Sequence, residues 1–415
     1  MGAGRRTVAG TDPGGRLAKV CYSPILLNAR ALNLEEIVPP MRQAKLAGYA
    51  MQTERSLGRR YPEPRHPYRN DYERDRDRII HSRAFRRLEN KTQVFTTRYS
   101  DHFRTRLTHT FEVAQISRTV ARSLRLNEDI VEALALVHDV GHPPFGHAGE
   151  EALNRLMEKH GDRFDHNLHA LRIVETFEQK YAGFPGLNLT FEVREGIVKH
   201  SRDYRPEDYP ELQDYLLSQR PPLEAQLIDP ADEIAYNCAD LDDGYESRLL
   251  SLTLIRENVP LFDRLYRTIE KRYAAAAEKL KFNEALRRLL DVLVSDLIKT
   301  TDRRLRVRKV RSVDKVRSLE SRLVGLSPSI AAGNTSLKKF LRVHFYAHPD
   351  LLAERKGIVR RLERVFQHYL DRPRSLPPFY FAKTQAEPAA RIVCDYIAGM
   401  TDNYLQMQYR KIFGE

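Results

Sequence analysis

Apolar residues recur every three to four positions through most of the chain, the repeat of an amphipathic helix rather than the alternation of a strand. Over residues 109–124, Val113, Ile116, Val120, Ala121 and Leu124 share one stripe. Asn127 then stands as an N-cap, with Glu128 and Asp129 where the helix dipole favours anions. Ile130, Val131, Leu134 and Val137 continue that helix until Gly141 and Pro143-Pro144 stop it, which leaves His142 and His147 on the loop beyond. Further stripes predict helices over 167–181 and 191–200. Asp229-Pro230 reads as a helix start, with Asp as cap and Pro in the first position. The helix after it carries Asp232, Tyr236 and Asp240 on one face at i, i+4 and i+8. Apolar faces return over 286–298, 359–369 and 389–413, whereas 303–317 alternates basic and apolar residues and predicts an extended stretch. The pattern is that of an all-α protein without internal repeats.

Three parts are expected along the chain. Residues 1–58 form a loosely ordered N-terminal arm, because scattered Gly and Pro replace any periodicity there. Residues 59–250 form the core, and 251–415 a C-terminal helical region packed on it. The three cysteines, Cys21, Cys238 and Cys394, are too few and too dispersed for a disulfide framework or a thiolate zinc site. No apolar run approaches the roughly 20 residues of a membrane span, and the N-terminus has no apolar signal core; a cytoplasmic protein without membrane contact is expected. The net charge of +13 fits either a solvated basic surface or an anionic partner, nucleic acid or polyphosphate, and does not choose between them.

The chemistry concentrates in one region. Nine of the 14 histidines lie between residues 81 and 169. His109 opens one helix, His138-Asp139 closes the next, and Asp232 begins a third. Two imidazoles and two carboxylates from separate elements suit a divalent cation such as Mg²⁺, Mn²⁺ or Fe²⁺. A His-Asp pair alone says little, since this composition gives about one by chance. The set taken together is far less easily accidental. No glycine-rich phosphate loop of the Gly-x-x-x-x-Gly-Lys type occurs.

Several stretches carry a family resemblance: Tyr72-Glu-Arg-Asp-Arg-Asp-Arg-Ile-Ile-His-Ser-Arg-Ala-Phe-Arg-Arg-Leu88, Lys91-Thr-Gln-Val-Phe95, Arg104-Thr-Arg-Leu-Thr-His-Thr110 and Leu136-Val-His-Asp-Val-Gly-His-Pro-Pro-Phe-Gly-His-Ala-Gly-Glu150. Phe164-Asp-His-Asn167, Asp232-Glu-Ile-Ala-Tyr236 and Asp395-Tyr-Ile-Ala-Gly-Met-Thr-Asp402 belong with them. From about residue 58 to its end the chain resembles the deoxynucleoside triphosphate triphosphohydrolases, or dGTPase-like proteins, of the HD superfamily of metal-dependent phosphohydrolases. The resemblance implies an all-α HD-domain helical core with additional C-terminal helices. It also implies cleavage of a dNTP at the α-phosphorus to a deoxynucleoside and inorganic triphosphate.

Carried onto matching positions, the resemblance makes His109, His138, Asp139 and Asp232 the metal ligands. His147 paired with Glu150 matches the catalytic His/acid pair, in which the carboxylate orients the imidazole that protonates the leaving 5′-oxygen. His142 and His166 match positions beside the scissile phosphate, and Arg106 a phosphate-binding arginine. Gln93 and Asp240 match residues that bind the sugar 3′-hydroxyl, and Tyr236 one that packs on the sugar and excludes a 2′-hydroxyl. An activating nucleotide, single-stranded DNA and a second copy of the chain, as a homo-oligomer, enter as candidate partners on the same ground. Two rival readings stay open. One is another HD phosphohydrolase, such as a 5′-nucleotidase or cyclic-nucleotide phosphodiesterase, with His166, His169 and His200 building a second metal site. The other is a nucleic-acid-binding regulator with a vestigial metal site.

Overall fold

The helix Arg106–Leu124 begins where Thr105 and Thr108 cap each other: the amide of each donates to the other's hydroxyl, at 3.4 and 3.0 Å. It ends at Arg125, left-handed at φ 53°, with the Leu126 amide bonded back to the Ala121 carbonyl at 2.9 Å. Asn127 then caps the helix Glu128–Val137 by accepting from the Asp129 amide at 3.1 Å, as its sequence predicts. That helix is buried on nearly every side, Ala133, Ala135 and Leu136 included, because it lies between the helices Asp71–Ile80 and Arg106–Leu124. Each of its large aliphatic side chains contributes about 1.5–3 kcal/mol on leaving water. A third helix, Leu223–Glu246, packs against Arg106–Leu124 on one side and the helix Glu278–Val307 on another.

The computed structural model describes residues 45–94 and 103–414, and among these the regular structure is helical, with only two isolated antiparallel bridges, Arg59–Thr190 and Thr92–Thr105. Two apolar clusters organise the helices. One gathers the elements just described with Glu278–Val307 and Pro328–Phe340. The other sets Ala152, Leu153, Leu156 and Met157 of the helix Gly146–Glu158 against Leu362, Val365, Phe366, Ile392, Val393 and Ile397 of the C-terminal helices Pro349–Asp371 and Ala389–Ala398. The helix carrying His147 and Glu150 is thus seated on the C-terminal region.

Four local expectations change. Of the arm expected over 1–58, residues 1–44 lie outside the described residues, while Ala47, Ala50 and Met51 are buried and the Met51 amide donates to Glu224 Oε1 at 2.9 Å. Asp229-Pro230 does not start a helix: Leu223–Glu246 runs through it, and the Asp229 carboxylate serves Ser201, His200 and Arg322 instead of a cap. His147 is not on a loop but in the first turn of Gly146–Glu158. Residues 303–317 are not extended, because Glu278–Val307 continues its buried row Phe282, Leu289, Leu293, Leu297 and Leu305 through the basic stretch, and Val313–Arg317 is helical again.

Arg317 in that stretch is no surface residue. Its two terminal nitrogens bond both oxygens of the fully buried Glu195 at 2.7 and 2.8 Å, and Lys199 Nζ adds a third contact at 2.7 Å. Arg317→Met should lower the free energy of unfolding by about 3 kcal/mol, read by urea denaturation, because it leaves a buried carboxylate short of its main partner. Arg317→Lys should recover only part of the loss, since the bidentate fork is gone. A loss below about 0.5 kcal/mol would show the pair to be neutral.

Candidate active site

The three central helices meet at a common point. His109 lies in the first turn of Arg106–Leu124, His138 caps the C-terminus of Glu128–Val137, and Asp232 projects from the middle of Leu223–Glu246. Asp232 Oδ1 is 2.8 Å from His109 Nε2 and 3.8 Å from His138 Nε2, and the three ligating atoms lie within 4.8 Å of one another. His138 Nδ1 donates to the Ala135 carbonyl at 2.6 Å, which turns the Nε2 lone pair inward. That Nε2 is buried and has no hydrogen-bond partner. A buried acceptor without a donor, facing a carboxylate and a second imidazole, fits a divalent cation.

Asp139, the fourth expected ligand, adjoins this group but turns its oxygens elsewhere: Oδ2 accepts from Arg106 Nη1 at 2.9 Å, and Oδ1 is 2.9 Å from His142 Nδ1 and 3.5 Å from His138 Nε2. The electrostatics follow the packing. Burial opposes ionisation of Asp232, yet the His109 hydrogen bond and the His109 and His138 charges hold it down at about 2. Against the same burial, Arg106, His142 and His138 hold Asp139 well below the usual carboxylate range. Burial lowers His138, whereas Asp232 outweighs it and raises His109.

A second group forms beside the first. The rings of His142 and His166 stack with centroids 4.0 Å apart and an interplanar angle of 24°. Glu150 Oε1 accepts from His166 Nδ1 at 2.7 Å and from the His166 amide at 3.3 Å, while Glu150 Oε2 is 3.5 Å from His147 Nδ1. Glu150 therefore serves two imidazoles and grips His166 the more closely, a choice that a His-x-x-Glu spacing could not reveal. Burial opposes its charge, but the His147 and His166 hydrogen bonds keep its carboxyl far below the ordinary range. Burial, with Arg106 and His166 adding to it, holds His142 well below the ordinary imidazole value. His147 is different in kind, for its side chain is 82% exposed and lines the cavity in front of both groups.

That cavity has a volume of about 590 Å³, and Arg106, Gln93, Tyr236 and Asp240 all line it. Gln93 Oε1, Arg106 Nε and Asp240 Oδ1 are buried without a hydrogen-bond partner. Burial pushes Asp240 up to about 7, the Tyr346 hydroxyl on its Oδ2 opposing and the Asp243 charge reinforcing. Sequence reasoning missed the far wall, where Lys338, Arg342, Tyr346 and Arg355 come from the C-terminal region. Lys338 Nζ sits 5.6 Å from the Tyr236 ring centroid and 2.9 Å from Glu233 Oε2. The signal was present, because Lys338, Arg342 and Tyr346 recur at four-residue spacing on one stripe. His166, His169 and His200 do not come together as a second metal site among the described residues; the second group with ligand atoms within 4.8 Å of one another is His142, Glu150 and His166. His166 belongs with Glu150, His169 donates to the Gly141 carbonyl at 2.8 Å, and His200 pairs with Asp229 at 2.6 Å.

The sequence matches known families. Residues 106–237 match the HD domain and residues 324–411 the phosphohydrolase-associated domain, so most of the cavity's lining falls in the two matched segments, with Thr92, Gln93, Val94 and Asp240 outside them. A deoxyguanosinetriphosphate triphosphohydrolase-like protein of Geobacter sulfurreducens is 44% identical over 380 residues, 91% of this chain and 98% of that relative. Proteins of the same name from Ralstonia pickettii and Thiobacillus denitrificans are 45% and 44% identical over 372 residues, 89% of this chain in each case and 95% and 98% of theirs. No helix among the described residues is long and apolar enough to cross a membrane. The HD family is metal-dependent, and the His109, His138 and Asp232 cluster gives this chain the means to be so. With relatives this similar over nearly their whole length, the chain belongs to the deoxyguanosinetriphosphate triphosphohydrolase-like family of HD-domain phosphohydrolases.

Proposed function

We propose that the protein hydrolyses a deoxynucleoside triphosphate to the deoxynucleoside and inorganic triphosphate. One observation carries the reading: a metal-ligand cluster, a carboxylate-anchored imidazole group and a wall of cations face a single cavity of about 590 Å³, sized for one nucleotide. His109, His138 and Asp232, with Asp139 once its contacts shift, would hold Mg²⁺, Mn²⁺ or Fe²⁺. Such an ion, when bound, acidifies water and offsets charge at the α-phosphate.

The chain's own residues do the rest in this reading. Arg106, Lys338, Arg342 and Arg355 receive the triphosphate oxygens. His142 and His166 contact the α-phosphate side, with Glu150 fixing the His166 ring. Water oxygen bonds to the α-phosphorus as the bond to O5′ breaks, and the departing oxygen takes its proton from His147, the imidazole open to the cavity. Gln93 and Asp240 hydrogen-bond the sugar 3′-hydroxyl, whose single proton goes to one of their partnerless oxygens, and Tyr236 bars a 2′-hydroxyl by contact. An activating nucleotide or single-stranded DNA would find counter-charge at Arg303, Arg308, Lys309 and Arg311, which are exposed or nearly so and have no ion pair among the described residues; a homo-oligomer is proposed on resemblance alone.

Product analysis decides the reaction. Each dNTP and NTP, alone and in mixtures with Mg²⁺ or Mn²⁺, should give intact triphosphate from deoxynucleotides only. Diphosphate or monophosphate products would assign the chain to another branch of the HD phosphohydrolases. No turnover, with metal bound and salt-dependent oligonucleotide binding, would favour the regulator reading.

His147→Ala and Glu150→Gln should each lower kcat by about 10²–10⁴-fold with metal content unchanged. Activity within threefold of wild type in both would remove this group from the chemistry.

Asp240 gives a pH test in metal-free protein. Its folded pKa of about 7 lies above the ordinary carboxylate value of about 4, so the folded chain keeps a proton that the unfolded chain releases. Wild-type stability should therefore fall, relative to Asp240→Asn, as pH rises between those two values. Urea unfolding should show the variant gaining about 1–3 kcal/mol on wild type from pH 5 to pH 8. A constant difference would mean that Asp240 titrates normally.

A further inference from the structure

We propose that Asp402 and Lys91 are positioning residues for the reaction, holding the strip that bears Gln93 and the turn that runs from His142 into the helix of His147 in one mutual geometry. Neither side chain lines the cavity, and both are buried, at 6% and 2% exposure. Asp402 opens the last helix, Asp402–Phe413. Its Oδ2 accepts from the Thr92 amide at 2.8 Å and from the Thr92 hydroxyl, and its Oδ1 accepts from the Phe145 amide at 2.9 Å. Thr92 is the neighbour of Gln93, and Phe145 lies between His142 and His147. One carboxylate thus spans the sugar side and the phosphate side of the cavity.

Lys91 secures the same two segments from beneath. Its Nζ donates to the His142 carbonyl and, at 3.1 Å, to the Ala398 carbonyl, while its own carbonyl accepts from the Arg106 amide at 3.1 Å. The loop needs such support. Phe145 is left-handed at φ 64° without being glycine, and as N-cap of Gly146–Glu158 it makes no side-chain cap of its own. Apolar packing could join these segments more cheaply than a buried carboxylate and a buried ammonium. What the polar pair adds is direction: three donors and two carbonyls fixed at hydrogen-bond distance, immediately behind the groups that meet substrate.

The inference rests on the proposed reading of Gln93, and the experiment separates the two. Asp402→Asn is nearly isosteric but turns an amide NH₂ toward donors at Thr92 or Phe145. It should leave metal content and melting temperature at wild-type values, while kcat/KM for the best dNTP falls about 10–100-fold. The preference for that dNTP over its 2′,3′-dideoxy counterpart should shrink about tenfold, a change that mere loosening of the fold would not select. Lys91→Met, which frees the His142 carbonyl, should lower kcat more than it alters that preference. Should Asp402→Asn melt more than about 10 °C early, Thr92→Val, which removes one donor, decides on the same two readouts. Wild-type kcat/KM and wild-type 3′-preference in a folded variant would overturn the positioning role alone. A wild-type enzyme with no dNTP turnover or no 3′-preference would overturn the reading of the cavity, and the positioning proposal with it.

Discussion

The Asp232 carboxylate is the constraint around which the site is built. It is ionised down to about pH 2 in spite of its burial, because His109 Nε2 meets it at 2.8 Å and His138 stands behind. A buried anion of this kind is tolerated only when its partners are held in place, since the loss of one partner costs several kcal/mol. The three central helices supply that rigidity. Each is fixed by its own cap or by its neighbours, and each presents one group at the same point. Asp139 obeys the same logic, drawing Arg106 and His142 inward, and His142 in turn stacks on His166. The cluster is a chain of charges, each making the next affordable in a dry interior.

Two apolar cores divide the labour. The ligand cluster hangs on the first, whereas the helix bearing His147 and Glu150 is packed on the second, with the C-terminal helices. The short connection between them leaves little slack. A Cβ at Gly149 would stand 2.0 Å from the Pro144 carbonyl oxygen, and one at Gly141 would stand 1.9 Å from the His166 carbonyl oxygen. Side chains larger than hydrogen are excluded at both ends of the turn. The phosphohydrolase-associated segment is thus part of the site in two ways: it seats the helix bearing His147 and Glu150 and supplies the cationic wall.

This division explains what could be read from the sequence. His109 and His138 were legible because each sits at a helix end that periodicity and capping locate, whereas Asp232 was legible from the motif and the stripe it shares with Tyr236 and Asp240, the helix start assigned just before it being wrong. Lys338, Arg342, Tyr346 and Arg355 were not, since the Lys338, Arg342 and Tyr346 stripe resembles any basic helix face until Leu337, Phe340 and Phe345 pack into the first core and bring it to the cavity. Asp229-Pro230 misled because proline was read as a boundary; the helix continues through it, and the freed Asp229 side chain holds His200 instead. The 303–317 stretch misled because local alternation was weighed against no tertiary context, while the upstream row from Phe282 to Leu305 was already committed to a helix. Glu150 is the subtler case. Sequence spacing pairs it with His147 three residues away, but the Asp165-capped turn swings His166 into closer reach.

What remains is why this cavity keeps polar atoms that nothing in the protein satisfies. Gln93 Oε1, Arg106 Nε and Asp240 Oδ1 are each buried without a partner, and leaving such a group unmet costs about 1–3 kcal/mol. Other buried atoms of this chain are also unpaired, Tyr72 Oη, Ser117 Oγ and Thr301 Oγ1 among them, so the lack of a partner is not by itself a mark of the site. What sets these three apart is that their residues line the cavity, where the proposed reading offers them a sugar hydroxyl and phosphate oxygens. In the proposed reading, a ligand that lacks the hydroxyl leaves a buried acceptor stranded, which discriminates more strongly than an added contact. A substitution that relieves that unpaired acceptor would on the same reading weaken the selection for the hydroxyl.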